Sequence, residues 1–188
     1  MLKFIQEFGK YVAIAGFRDV RIGDVEAFLE KVKKAVVGDC EIQFFDAELV
    51  ASWQHLYFAA LNAIKAFKNG ENISKNLAVE TLLYASAQRQ IRKAVDSLGI
   101  KRNTCEIAVL VVGENPKMVE ATLDSVSKVA GGRRDDGVLE LTSNKIAKVR
   151  RVFEVLDTEI EAVADGKSLE EALIDLVIER MALLATER

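Results

Sequence analysis

A single histidine, His55, and two cysteines, Cys40 and Cys105, set narrow limits on the chemistry open to this chain. A histidine-rich metal centre would need residues supplied by a partner, and a Ser-His-Asp triad could be built on His55 alone. His55 follows Trp53 inside a segment with helical apolar spacing, and it reads as a packed or surface-edge side chain. The cysteines lie far apart with no C-x-x-C spacing and read as small buried hydrophobes rather than reactive thiols. The run VLVVGENP (109 to 116) looks like strand, turn and helix, and the turn from Gly113 to Pro116, with Asn115 at the helix N-terminus, could hold an anion. It lacks a G-x-G-x-x-G pattern and a Walker lysine. A small-molecule-binding or enzymatic α/β domain using this turn therefore stays open as a second reading, while no catalytic residue, metal ligand or cofactor is assigned.

Cations are more informative by position than by number. Lys and Arg total 26 against 29 Asp and Glu, a net charge of −3, so no global field draws the chain onto nucleic acid and only a local patch could do so. Ala87-Gln88-Arg89-Gln90-Ile91-Arg92-Lys93 is such a patch, with two arginines and a lysine close together on one helical segment. Helical cations are commonly a solvated face; the functional alternative is contact with phosphates. Lys65 and Lys68 end the preceding helix, and antiparallel packing would place them away from Arg89.

These residues must be carried by elements the pattern makes legible. YVAIAGF (11 to 17) reads as a strand, followed by a helix on Val25, Phe28, Leu29, Val32, Ala35 and Val36 that stops at Gly38-Asp39. EIQFF (41 to 45) is a second strand, with Asp46 placed to cap a helix over 47 to 68 that ends at Asn69-Gly70. Ser74 is expected to cap one long helix through Leu98. Its residues Leu77, Leu83, Tyr84, Ile91, Ala94 and Leu98 share a face, while Val79, Leu82 and Ser86 point elsewhere. A helix apolar on more than one side is central to the core or carries a partner surface.

EIAVLVV (106 to 112) is the strongest strand and the expected centre of the sheet, buried on both faces. Asn115 and Pro116 open a helix to Ala130. GGRRDDG (131 to 137) reads as a mobile loop, VLEL (138 to 141) as a short strand, and Thr142 or Ser143 as the cap of a helix on Ile146, Val149, Phe153 and Leu156. A short segment from Thr158 ends at Asp165-Gly166, and Ser168-Leu169-Glu170-Glu171 is a capping box opening the last helix.

With 188 residues, half of them hydrophobic and only one proline, the expected architecture is a single α/β domain over residues 1 to 188. It has a mixed sheet of about four strands flanked by helices, with residues 142 to 188 as its helical C-terminal part. The N-terminus lacks a stretch of signal-peptide length, and no run of about 18 apolar residues occurs, so a cytoplasmic protein with no transmembrane span is expected.

Three stretches in succession, EIQFFDAELVASWQHLYFAALNAIKAFKNGENIS (41 to 74), LAVETLLYASAQRQIRKAVDSLGI (77 to 100) and IAVLVVG (107 to 113), resemble the small kinase-binding subunit of the KEOPS complex. This is the PRPK-binding protein (TPRKB-like) family, which has archaeal and yeast members; an archaeal member is expected here. The resemblance covers roughly residues 11 to 130 and rests on the order of four pieces. These are the strand exit Ile42-Gln43-Phe44-Phe45-Asp46-Ala47, His55-Leu56 with Ala59, Ala63 with Ala66-Phe67-Lys68, and Glu80, Leu83, Ser86 and Gln90-Ile91 in spaced sequence. Residues 150 to 188 match no motif.

The resemblance implies a non-catalytic subunit that binds a small atypical kinase/ATPase and, through it, the catalytic and dimerisation subunits. It also implies capture of tRNA by its 3′ CCA end for threonylcarbamoyladenosine modification of ANN-decoding tRNAs. On that reading Arg89, Gln90, Arg92 and Lys93 are the candidate tRNA contacts, with Ile91 in the core. Val79, Leu82, Leu173 and Leu176 are the candidate kinase contacts, although each could equally belong to the protein's own core.

Overall fold

A computed structural model describes residues 1–184 and 186. The chain runs β1 (Leu2–Ile5), β2 (Lys10–Arg18), α1 (Val25–Ala35), β3 (Glu41–Asp46), α2 (Trp53–Asn69), α3 (Leu77–Ala85) and α4 (Ile91–Leu98). It continues through β4 (Ile107–Gly113), α5 (Pro116–Ala130), β5 (Arg133–Arg134), α6 (Ser143–Val152), α7 (Asp157–Val163) and α8 (Leu169–Leu183). The sheet has the order β1-β2-β4-β3, with β5 added on β2. Every pairing is antiparallel, which corrects the expectation of a mixed sheet.

β4 is buried along its whole length and lies between β2 and β3, as its continuous apolar run predicts. Alternate side chains serve two cores. Val109 and Val111 face α1 and α5, whereas Ala108, Leu110 and Val112 face the layer containing α2, α3, α6 and α8. Helices on both faces are what make an antiparallel strand as apolar as a parallel one.

Several boundaries follow the sequence closely. Gly70 ends α2 at φ 69°, Asn115 caps α5 with Pro116 in its first turn, and Ser168 and Glu171 form the capping box of α8. Other boundaries differ for physical reasons. β1 is four residues long and its apolar Leu2 and Phe4 are exposed, so this edge strand leaves little pattern in the sequence. The helix expected over 47 to 68 is divided: Asp46 caps only a 3-10 turn at Ala47–Leu49, the backbone is extended at Val50 and Ser52, and the Ser52 hydroxyl caps α2 by accepting from the His55 N–H.

The long helix expected from Ser74 to Leu98 is two helices. Asn76, not Ser74, caps α3. At the other end the Ser86 hydroxyl donates to the Leu82 and Leu83 carbonyls, and Ala87 turns into the left-handed region at φ 50°. Side-chain bonding back into the last turn closes α3 and leaves the chain free to restart at Gln90.

The segment read as a mobile loop is anchored. Arg133–Arg134 pairs with β2, the Gly16 N–H donates to Asp136 at 2.9 Å, and the Asp135 N–H donates to the Gly16 carbonyl at 2.9 Å. The approach is close enough that a Cβ at Gly16 would lie 2.5 Å from the Asp135 carbonyl oxygen. Residues 138 to 141, expected as a strand, instead supply the second half of a 3-10 turn at Asp136–Leu139 and the extended residues after it. The buried Lys145 ammonium holds that turn by donating to the Val138 and Glu140 carbonyls at 3.0 Å each. α6 stops at Val152, before Glu154 at φ 52°, so Leu156 is exposed rather than on its core face. Cys105 is exposed and Cys40 half-buried, against the expectation that both are buried.

Candidate functional site

β3 is the outer strand at the end of the sheet opposite β1, and α1 on one side with α3 and α4 on the other leave a groove of about 700 Å³ along it. Leu29, Ile42, Val79, Leu82, Ile91 and Val95 are among its lining residues. Leu29 (42%), Ile91 (48%) and Val95 (44%) are strongly exposed for large apolar side chains. In α4 the cause is helical spacing: Ala94 and Leu98 are buried, while Ile91 and Val95, four residues apart, stack one turn above the other on a different face. Contiguous apolar exposure of this kind marks an interaction surface.

Of the residues expected to face a kinase, Val79 and Leu82 meet in this groove, Val79 half-buried and Leu82 buried at its base. Leu173 and Leu176 do not join them. They are 0% and 6% exposed in the core that α8 shares with α2, α3 and α6, so their stripe is consumed in holding the last helix. Ile91, expected in the core, is at the surface. Sequence reading missed Leu29 and Val95 because a residue facing a groove has the same spacing as one facing the interior.

The cationic segment is not on a continuous helix. Arg89 and Gln90 lie on the turn between α3 and α4, and Arg92 and Lys93 in the first turn of α4; all four are exposed. Arg92 directly follows the groove residue Ile91 in α4, so this cationic lip adjoins the groove, while Lys93 lies further round the helix. Lys68, at the end of α2, sits over the Phe8 ring at 5.0 Å.

The turn is held from beneath. His55 is fully buried, its Nε2 2.7 Å from the Ala85 carbonyl and its Nδ1 accepting from the Ala51 N–H at 3.3 Å. These partners assign a neutral ring protonated at Nε2. Burial pushes the His55 pKa down to about 4, partly offset by the bond to Ala85. The Phe153 ring meets the imidazole edge-on at 5.4 Å. At the start of α3, the buried Glu80 carboxylate accepts from the Ile73 and Ser74 N–H groups, at 3.0 and 2.7 Å. The spaced residues Glu80, Leu83 and Ser86 thus serve in order as loop staple, core contact and helix closure, and Gln90 stands at the position where α4 begins, its side chain making no capping bond.

The turn from Gly113 to Pro116 is engaged within the molecule. Asn115 accepts from the Lys117 N–H at 3.0 Å, and Glu114 pairs with Lys10 at 2.8 Å, placing a carboxylate beside the helix N-terminus. Its strand is antiparallel to both neighbours, so the crevice that parallel α/β sheets offer at a switch point does not arise here. Among the described residues no group of His, Cys, Asp or Glu is arranged to hold a metal ion, and no helix is long and apolar enough to cross a membrane.

A family model described as kinase binding protein CGI-121 matches residues 17–185. The regulatory protein Cgi121 of Methanocaldococcus jannaschii is 31% identical over 115 residues, covering 61% of this chain and 71% of its own. An EKC/KEOPS complex subunit cgi121 of Aspergillus terreus is 28% identical over 173 residues, covering 89% of this chain and 87% of its own. The EKC/KEOPS complex subunit CGI121 of Coccidioides immitis is 29% identical over 117 residues, covering 62% of this chain and 54% of its own.

Proposed function

The chain belongs to the CGI-121 family of kinase-binding proteins, and from that premise we propose that it is a regulatory subunit of a KEOPS complex that docks the complex's small kinase/ATPase in the groove along β3. It is a regulatory protein rather than an enzyme. The observation that carries the docking site is the apolar exposure of Leu29, Ile91 and Val95 around Val79, beside an outer strand. A groove of this kind offers a desolvated centre with a polar rim, the arrangement in which a few large side chains dominate binding.

We infer further that the subunit recruits tRNA by its single-stranded 3′ CCA end, for threonylcarbamoyladenosine formation carried out by other subunits. Supporting this are the exposed Arg89, Arg92 and Lys93, which can neutralise phosphates, with the exposed Gln90 amide among them. Co-purification with the small kinase of the complex tests the first reading: wild type co-elutes, and Val95→Asp weakens the complex at least ~10-fold, in line with loss of a central apolar contact. Absence of co-elution by the wild type would sink it. Titration of tRNA with and without its 3′ end tests the second. Binding should weaken with salt, with removal of the 3′ end and with Arg92→Glu. Equal affinity in all three comparisons removes the tRNA reading and leaves a scaffold that binds protein alone.

A further inference from the structure

The sheet ends differently at its two edges. β3 is flanked by α1, α3 and α4, whereas three of the four β1 residues are exposed, Leu2 at 36% and Phe4 at 52%. The backbone of β1 also has a free side. The Met1 nitrogen donates to the Ile14 carbonyl at 2.8 Å, and the Met1 carbonyl accepts from the Ile14 N–H at 2.9 Å, so these two residues form a hydrogen-bonded pair. In an antiparallel ladder such pairs alternate with pairs that are not bonded. With the register Leu2↔Ala13, Lys3↔Val12, Phe4↔Tyr11 and Ile5↔Lys10, the residues bonded inward to β2 are Lys3 and Ile5. The N–H and C=O groups of Leu2 and Phe4 therefore point out of the sheet, and no other element hydrogen-bonds to them among the described residues.

An unpaired edge is a template for another strand, and its side chains decide which one. Leu2 and Phe4 lie on the face covered by α1 and α5: they stand opposite Ala13 and Tyr11, which pack in that core, and the Phe4 ring centre is 4.6 Å from that of Tyr11. Lys3, on the other face, stands over the Trp53 ring at 5.6 Å and has no ion pair among the described residues. Contact with a neutral ring leaves its charge uncompensated. A second copy of this chain fits poorly. Antiparallel pairing of β1 with itself through both outward residues sets Leu2 against Phe4 and Lys3 against Lys3, the lysines as a pair without hydrogen bonds, with Cα atoms about 4.5 Å apart. Like charges directly opposite one another destabilise a pairing. For a strand that carries a carboxylate at that position the sign reverses, and β-branched or aromatic neighbours on either side of it would meet Leu2 and Phe4.

We propose that β1 is extended by an antiparallel strand from another protein, one that presents an apolar, an acidic and an apolar residue in turn, with the carboxylate opposite Lys3. This edge is at the far end of the sheet from the groove, so the inference is independent of the kinase and tRNA readings. The full chain is titrated with the capped peptide Thr-Val-Glu-Val-Thr and with its counterpart Thr-Val-Lys-Val-Thr, and its amide resonances are followed. The glutamate peptide should shift the Leu2 and Phe4 amides, slow their exchange, and bind about 5-fold more tightly than the lysine peptide. Lys3→Glu, a change at an exposed side chain, should reverse that order. N-methylation of both valines should abolish binding, whereas N-methylation of the central glutamate, whose N–H faces away from β1, should not. If the two peptides bind alike to the wild type and to Lys3→Glu, or if methylated valines cost nothing, the edge does not add a strand of this kind. If neither peptide binds and the chain sediments as a dimer that Phe4→Ser makes monomeric, the occupant is a second copy and the proposal is wrong. If neither binds and the chain is a monomer, Lys3 only keeps the edge unpaired, and the proposal is wrong as well.

Discussion

The Nε2–H of His55 donates to the Ala85 carbonyl at 2.7 Å, tying the first turn of α2 to the last residue of α3. The acceptor stands two residues before Ala87 and four before Arg89, so the orientation of the cationic lip depends on a ring with no exposed surface. The other ring nitrogen accepts from Ala51, which completes the pairing of this buried polar group.

Acid should loosen the fold through this histidine. Its pKa is about 4 when folded, against an ordinary 6.5, so between those values the unfolded chain takes up a proton that the folded chain refuses. Stability is fully present above pH 6.5 and declines as pH falls toward 4, by roughly 3 kcal/mol if the whole shift is realised. Urea melts at pH 7 and pH 4.5 measure the loss, and His55→Phe should flatten that part of the profile.

At neutral pH the same His55→Phe substitution should itself destabilise. It keeps an aromatic ring against Phe153 but leaves the Ala51 N–H and the Ala85 carbonyl buried without partners, at a cost of about 1–3 kcal/mol for each group. The fall in urea midpoint at constant slope reads it.

Gly16→Ala should cost about 1–3 kcal/mol, since the new methyl must displace the Asp135 carbonyl and the Val138 side chain. Thermal melting gives the size of the effect. Amide exchange should show early opening of residues 135 to 139, because the turn that Gly16 anchors moves first.

Ala87→Gly should act in the opposite direction. Glycine accepts the left-handed backbone without the Cβ clash that Ala87 bears at φ 50°, and relief should exceed the added chain entropy by about 0.5–1 kcal/mol. A higher melting temperature checks it. A lower one would mean that the alanine methyl makes packing contacts worth more than the strain.

Apolar runs and caps made much of the fold legible. β4 declared itself through Ile107 to Val112, α5 through Asn115-Pro116, and α8 through its capping box. What was not legible is where a helical pattern pauses. The stretch from Leu77 to Leu98 contains no proline or glycine, so nothing in it announced the break at Ser86 to Gln90. That break depends on Ser86 bonding backward and on tertiary support for Ala87. The groove was half legible for a related reason. Val79 and Leu82 stood out as lying off the main stripe, whereas Ile91 and Val95 follow an ordinary amphipathic pattern, and only the position of α1 and β3 leaves them uncovered.

α4 has eight residues, well short of the ~12–15 at which an isolated helix holds together in water, so its order is lent by its neighbours. Ile91 and Val95 look into the groove, and the exposed Arg92 and Lys93 stand on the same short helix. A guest on either surface would therefore stiffen the platform that the other uses and reduce the ordering left for the second arrival. Were kinase and RNA those two guests, they would be reciprocal effectors: whatever factor one added to the other's affinity, it would receive in return.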